Sequence, residues 1–395
     1  MKRRLVFHSL LLLAVFLALV PTALASSTWY VDGVNGNDNN DCKSRQHACK
    51  TIGHAISLAS SGDSIMVAAA TYTENLTIST SLKVIGSGAA TTIIDGGGVG
   101  QVVTISNANA HVTLSKLTIR NGSGNGGGIY NGGTLTINNS TVSGNTGRGV
   151  TADGGGINNG GTLTINNSTM SGNRAAGLQF ARGGGIYNGG TLTINNSTVS
   201  GNTAGGTTTA DGGGIYNVGT GTLTINNSTV SGNTADARTA DGGGIYNGDG
   251  GTLTINNSTV SGNTAHGEYY RYGGGILNHG TATLQNSIVA NSLGGNCAGT
   301  MTSNGYNLSS DGYCNFSGTG DLNNTDPKLG QLGHHGGPTQ TIPLLTGSPA
   351  IDAGNPSGCT DGQGHLLKTD QRGRPRHDKE DTSGCDMGAY ERQKD

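Results

Sequence analysis

Charge is scarce in this chain: Asp, Glu, Lys and Arg supply 12% of its 395 residues, about half the share usual in a globular domain. The formal net charge is −2, and no lysine stands between Lys116 and Lys328. A nucleic-acid surface needs a basic patch, so nucleic acid is excluded as the main partner. Aromatic residues make up only 4% and all hydrophobic residues 33%, too few for a conventional core built of long apolar runs. Beyond Leu5–Val20 no stretch is apolar enough to span a bilayer. Cysteine is missing from Cys49 to Cys297, and no two cysteines have the CxxC spacing of a zinc or redox site. Nothing in the sequence calls for a metal or cofactor, Ca²⁺ included.

What the chain has instead is glycine, 72 residues of it, arranged periodically. GGGIYN or a close variant begins at Gly126, Gly154, Gly183, Gly212, Gly242 and Gly273, so successive starts lie 28, 29, 29, 30 and 31 residues apart. TLTINNS follows each, from Thr134, Thr162, Thr191, Thr222 and Thr252, with a weaker copy at Thr281. STVSGN or a variant comes next, as at Ser140–Asn145. A repeat of this length is one supersecondary unit that buries its apolar side only by stacking on its neighbours.

Each repeat reads as three short strands. Alternation in TLTI sends Leu135 and Ile137 inward and Thr134 and Thr136 outward; Ile129 and Val142 supply the other inward side chains. Coils stacked about 4.8 Å apart then share one core. Between the second and third strands Asn tolerates the left-handed backbone of a sharp bend. Asn139, Asn167, Asn196, Asn227, Asn257 and Asn286 are expected to form a ladder of amides from coil to coil. This pattern resembles the asparagine ladder of the pectate-lyase-like right-handed parallel β-helix superfamily. The expected fold is therefore all-β: a right-handed parallel β-helix with three short strands per coil, an N-terminal helical cap and a disulfide-stapled C-terminal segment.

The ends differ from the middle. Lys2-Arg3-Arg4, the apolar run and Ala23-Leu24-Ala25 make residues 1–25 a secretory signal peptide, which leaves no transmembrane span after cleavage and implies a secreted or cell-surface bacterial protein. Residues 26–75 form an N-terminal cap with a short helix carrying Ile52, Ala55, Ile56 and Ala59. Residues 76–320 are the repeats, and 321–395 a capping segment. In that segment SPAIDAG (348–354), TDQRGRPR (369–376) and CDMGAYE (385–391) resemble the choice-of-anchor Q domain. Six cysteines in an exported chain imply disulfides; of the fifteen connectivities possible, the positions suggest Cys42 with Cys49, Cys297 with Cys314 and Cys359 with Cys385.

Function is expected where the coils differ, in the eight- or nine-residue loops preceding each GGG. Phe180, Arg182, Tyr269, Tyr270 and Tyr272 stand out there. Tyr130, Tyr187, Tyr216 and Tyr246 must point outward from the first strand, either as a sugar-stacking row or simply as cover for the sheet. Asp211 and Asp241 occupy equivalent positions in adjacent coils and are weak catalytic candidates, with Arg174, Arg182, Arg238 or Arg271 as the only bases a lyase could use; solvated Asp-Gly turns are the plainer reading. Arg182 falls between Asp153 and Asp211, as in a charge ladder. GGGI with VSGN also resembles the polymorphic outer-membrane repeat, which implies adhesion. The reading that follows is a non-catalytic exported β-helix binding carbohydrate or a cell-surface partner. Two alternatives stand beside it: a polysaccharide lyase or glycoside hydrolase, and an ice- or crystal-binding solenoid using the Thr-x-Thr face.

Overall fold

The computed structural model describes residues 26–361, 364–376 and 384–393; the signal peptide expected at 1–25 lies outside them. The described chain is a parallel β-helix. Its TLTI strands and their N-terminal equivalents form one sheet of eleven, the IYN strands a sheet of nine, and the TVS strands a sheet of ten. All three run in register, coil upon coil, as in Leu135 opposite Leu163 and Leu163 opposite Leu192. The inward side chains Ile129, Leu135, Ile137 and Val142 are fully buried, as are their equivalents in the following coils.

The corner expected at Asn139 is present: Asn139, Asn167, Asn196, Asn227, Asn257 and Asn286 all have φ between 48° and 52°. The continuous ladder expected there is not. Only Asn227 to Asn196 (2.6 Å) and Asn286 to Asn257 (2.9 Å) are linked, because the left-handed residue turns its side chain off the coil, where Asn139 is exposed. Three other rows carry the amide ladders. Asn131, Asn159, Asn188, Asn217, Asn247 and Asn278 are joined by bonds of 2.6–2.7 Å inside the core. Asn145, Asn173, Asn202, Asn233 and Asn263 follow at 2.9–3.0 Å. Asn138, Asn166, Asn195, Asn226 and Asn256 form the third row, partly buried and donating in the opposite sense. Buried amides need partners, and only an identical amide one coil away supplies donor and acceptor at every step.

The segments read as variable loops are strands. Thr146–Asp153, Arg174–Arg182, Thr203–Gly205 with Thr209–Asp211, Thr234–Asp241 and Thr264–Tyr272 make a fourth parallel sheet, a lobe beside the coils. Within each coil the chain runs out and back, and the two halves meet through alanine: Ala152, Ala175, Ala181, Ala204, Ala210, Ala235, Ala240 and Ala265 form a small, fully buried core of their own. Glycine brings the chain back. The first Gly of each GGG is left-handed, as at Gly154 (φ 75°); a Cβ on the third, Gly156, would sit 2.8 Å from the Gly185 carbonyl.

The N-terminal end is closed by the helix Ile52–Leu58, with Ile52 and Ala55 buried on the first coil. Thr51 caps it, and the Glu74 carboxylate accepts from the Ile52 and Gly53 N–H groups at 2.9 and 2.8 Å. At the far end a shrunken coil around Cys297–Cys314 brings Met301 and Phe316 over the core. Cys42–Cys49 and Cys359–Cys385 are the other two disulfides. The first residues of the last segment pair with the terminal coil, Leu322 bridging Leu308. From about Pro327 it folds back along the flank of the TVS sheet, where Gln371 bonds Thr198 and Thr229 and Arg376 bonds Asn227. The last TVS copy is Ile288-Val289-Ala290, and its outward Ile288 and Ala290 pack on Leu344, Ala350 and Met387 of this strap.

Candidate functional site

The lobe and the IYN sheet meet along a seam where the chain's rare charged and aromatic groups converge. Alternation in the returning lobe strands turns Ala152, Ala181, Ala210 and Ala240 into the lobe and Asp153, Arg182, Asp211 and Asp241 out toward the tyrosines. These four are register partners in order along the stack. Arg182 Nε lies 3.0 Å from Asp153 Oδ1, and its guanidinium sits 5.9 and 5.8 Å from the Tyr187 and Tyr216 ring centres. Asp211 and Asp241 are thus neighbours in a continuous sheet rather than tips of separate solvated turns. Burial, and then the charge of Asp241, push Asp211 up to about 7 despite the opposing Arg182. Burial also raises Asp153 and Asp241.

Tyr187, Tyr216 and Tyr246 stack face to face, with centroids 5.4 and 4.8 Å apart and interplanar angles of 25° and 22°. His279 closes the row 5.7 Å beyond Tyr246. Tyr130 stands apart, because its register partner is Asn158 and only then Tyr187. A ring covered on both faces by other rings offers a ligand its edge and hydroxyl alone, and Tyr216 is 7% exposed. The seam is therefore packed, and the row covers the sheet as much as it presents a surface.

The open aromatic surface lies at the lobe's C-terminal edge. Strand Thr264–Tyr272 pairs on one side with Thr234–Asp241; on its other side only Thr264 is bridged, to Leu293. Tyr269, Tyr270 and Tyr272 are 65%, 59% and 52% exposed, and the rings of Tyr270 and Tyr272 lie nearly parallel at 6.5 Å. Beside them is a pocket of about 390 Å³ lined by Arg271, Tyr272, Gly294, Gly295 and Tyr313. Tyr313 is 70% exposed, lies against Gly295 and is held there by the adjacent Cys297–Cys314 disulfide. Sequence reasoning missed Tyr313; its signal was the neighbouring Cys314, whose pairing with Cys297 carries it back to the lobe. Phe180, three coils away, is 39% exposed on the same lobe.

The outward threonines form files along the flat TLTI sheet. Thr113, Thr136, Thr164, Thr193, Thr224, Thr254, Thr283 and Thr302 are successive register partners. Among the described residues no helix is long and apolar enough to cross a membrane.

A family model described as "Right handed beta helix region" matches residues 32–230 and 101–293. No curated protein sequence matches the chain. Among solved structures, a pectate lyase, Pel9A, superposes with a TM-score of 0.54 at 16% identity, covering 94% of this chain and 98% of its own. A GH136 lacto-N-biosidase from Eubacterium ramulus gives a TM-score of 0.37 at 13% identity, over 72% of this chain and 64% of its own. At 16% identity the likeness to the pectate lyase describes the fold alone.

Proposed function

Because the chain belongs to the right-handed β-helix family, whose coils are scaffold and whose added segments differ, we propose that it is an exported, non-catalytic protein that binds carbohydrate on a polysaccharide or cell surface. The observation that carries this reading is the open pocket between Tyr272 and Tyr313 with Arg271 at its rim. Exposed tyrosine faces are the usual platform for sugar rings, each stacked ring contributing about 1 kcal/mol, and an arginine fork adds directed hydrogen bonds to hydroxyls. The pectate lyase and the biosidase are named for action on carbohydrate, which agrees with this ligand class by analogy alone. The experiment is binding of the mature chain to a glycan array and to immobilised polysaccharides. Tyr272→Ser with Tyr313→Ser is expected to weaken binding at least tenfold while the melting temperature holds, since both rings lie outside the core. Unchanged binding would sink the proposal.

An enzymatic reading rests on one feature, Asp211 held near 7 beside Asp241, a pairing suited to proton transfer. It predicts release of reducing or unsaturated sugars from pectin, alginate or chondroitin, abolished by Asp211→Asn. The proposed function predicts no release. An ice-binding role for the threonine files predicts thermal hysteresis that Thr193→Tyr with Thr224→Tyr removes and the tyrosine replacements leave alone.

A further inference from the structure

On the flank away from the lobe, two rows of asparagine run side by side along the corner between the TLTI and TVS strands. One is the partly buried ladder Asn138, Asn166, Asn195 and Asn226. The other is the left-handed row Asn139, Asn167, Asn196 and Asn227. All of these except Asn139 floor a groove of about 500 Å³ whose opposite wall is formed by Asp361 and Leu367 of the C-terminal strap. Asn166, Asn195 and Asn226 each spend one N–H and the oxygen on their neighbours and keep a second N–H. Among the described residues the Asn139 and Asn167 side chains make no hydrogen bond at all.

Farther along, the same left-handed row is occupied by the chain itself. Asn227 donates to the Thr369 carbonyl (3.1 Å) and accepts from Arg376 (2.6 Å). Asn257 donates to the Thr360 carbonyl. Asn286 donates to the Asp386 carbonyl and accepts from the Asn355 N–H, both at 3.1 Å. The distal half of the row therefore works as a recognition strip, read by donors and acceptors alike. The proximal part, Asn139 and Asn167, is open.

We infer that this open part binds a neutral, linear glycan along the helix axis, an inference that rests on the carbohydrate-binding reading but assigns a second site, remote from the lobe. Charge selects the ligand class. Among the described residues the groove lining holds asparagines, Leu367 and Asp361, and no cation, so a uronate chain finds no counter-charge in that lining. A neutral sugar hydroxyl both donates and accepts, as does each amide. Spacing disfavours a peptide. An extended strand presents successive same-side carbonyls about 6.7 Å apart, whereas the amides repeat every 4.8 Å or so. The strap shows the consequence: it meets three rungs with Thr360, Thr369 and Asp386, residues far apart in sequence. A sugar chain, with several hydroxyls on each ring, is not held to that step.

The test is calorimetric titration of the mature chain with cellohexaose, xylohexaose and mannohexaose, with hexagalacturonate as the acidic probe. Asn139→Gly with Asn167→Gly keeps the left-handed backbone, removes two amides and breaks no side-chain hydrogen bond. Leu367→Trp fills the groove from the other wall. Binding of a neutral hexaose that both variants weaken at least tenfold, while Tyr272→Ser with Tyr313→Ser leaves it intact, supports the groove. Binding that only the tyrosine variant weakens overturns the groove and leaves the carbohydrate reading standing. Binding of hexagalacturonate alone overturns it as well. If none of the four probes binds and the glycan array is blank, both readings fall together.

Discussion

At the scale of single residues, orientation and ionisation carry the consequences. Leu192 and Ile194 are fully buried between identical neighbours above and below, and rigid coils cannot collapse into a vacated space. Leu192→Ala is expected to cost about 2–5 kcal/mol in urea denaturation, whereas Thr193→Ala, on the outward face of the same strand, costs about 1 kcal/mol or less. Equal losses would reverse the facing assignment and every surface argument built on it. Asp211 gives a second expectation. Its folded value of about 7 stands above the 3.8 ordinary for a solvated aspartate, so the native state holds a proton that the unfolded chain has released. That contribution is complete below about pH 4 and is lost as pH rises through 7. Asp386, raised to about 6 by burial, acts in the same sense. Asp32, held low by the Asn35 and Val34 N–H groups, acts in the other, losing its contribution only in acid. Stability is therefore expected to peak in mildly acidic solution. Between pH 5 and 8 wild type should lose on the order of 2–3 kcal/mol that Asp211→Asn does not lose; identical pH profiles in denaturant titrations would place Asp211 in water.

At the scale of elements, the strap shows how unlike parts divide their work. Arg376 and Glu391 are 0% and 1% exposed and pair at 3.0 Å; Arg376 also donates to Asn227 Oδ1 and the Gly388 carbonyl. Arg376→Met takes the guanidinium partner away from the buried Glu391 carboxylate and is expected to cost about 3–5 kcal/mol. Limited proteolysis should then cut within the strap before the coils, and Glu391→Gln added to the variant should restore part of the resistance. Uniform digestion would mean that the strap and coils are one cooperative unit. The coils were legible because their alternation has a period of two and each copy repeats it; the helix and the cysteine pairs were legible for equally local reasons. The lobe was not, since Thr-Ala at one end and Ala-Asp at the other become strands only when alanines from neighbouring coils close on each other. The amide rows were only partly legible: alternation places Asn131 inward, two residues after Ile129, but the doubled Asn138-Asn139 carries the stronger local turn signal. The return of TDQRGRPR to the flank depends on partners some 140–175 residues earlier in the chain, a pairing no local pattern reveals.

At the scale of the whole molecule, the coils form a one-dimensional stack whose interior units are nearly interchangeable. Removing Gly154–Arg182 deletes a coil ahead of the strap's footprint, which begins near Asn196 and Thr198. The shortened chain is expected to fold, with an unchanged circular dichroism shape and a melting point within a few degrees of wild type. Removing Gly212–Asp241 takes away Asn227 and Thr229 and puts the strap out of step, so its melting point should fall much further; equal behaviour of the two would mean that the strap does not read register. The innermost amide row also governs how the protein ages. Asn131, Asn159, Asn188 and Asn247 each precede glycine, the pairing most prone to spontaneous deamidation through attack of the glycine nitrogen on the side chain. Here both partners are immobilised, the amide by its twin one coil on and the glycine N–H by a carbonyl of the coil before. Folded, these four sites should stay chemically intact through long incubation, as peptide mass spectrometry can follow. Unfolded, they become clocks: each hour in denaturant converts amide to carboxylate, and a single such conversion sets an unpaired charge inside the stack, so the time spent unfolded decides how many molecules can return.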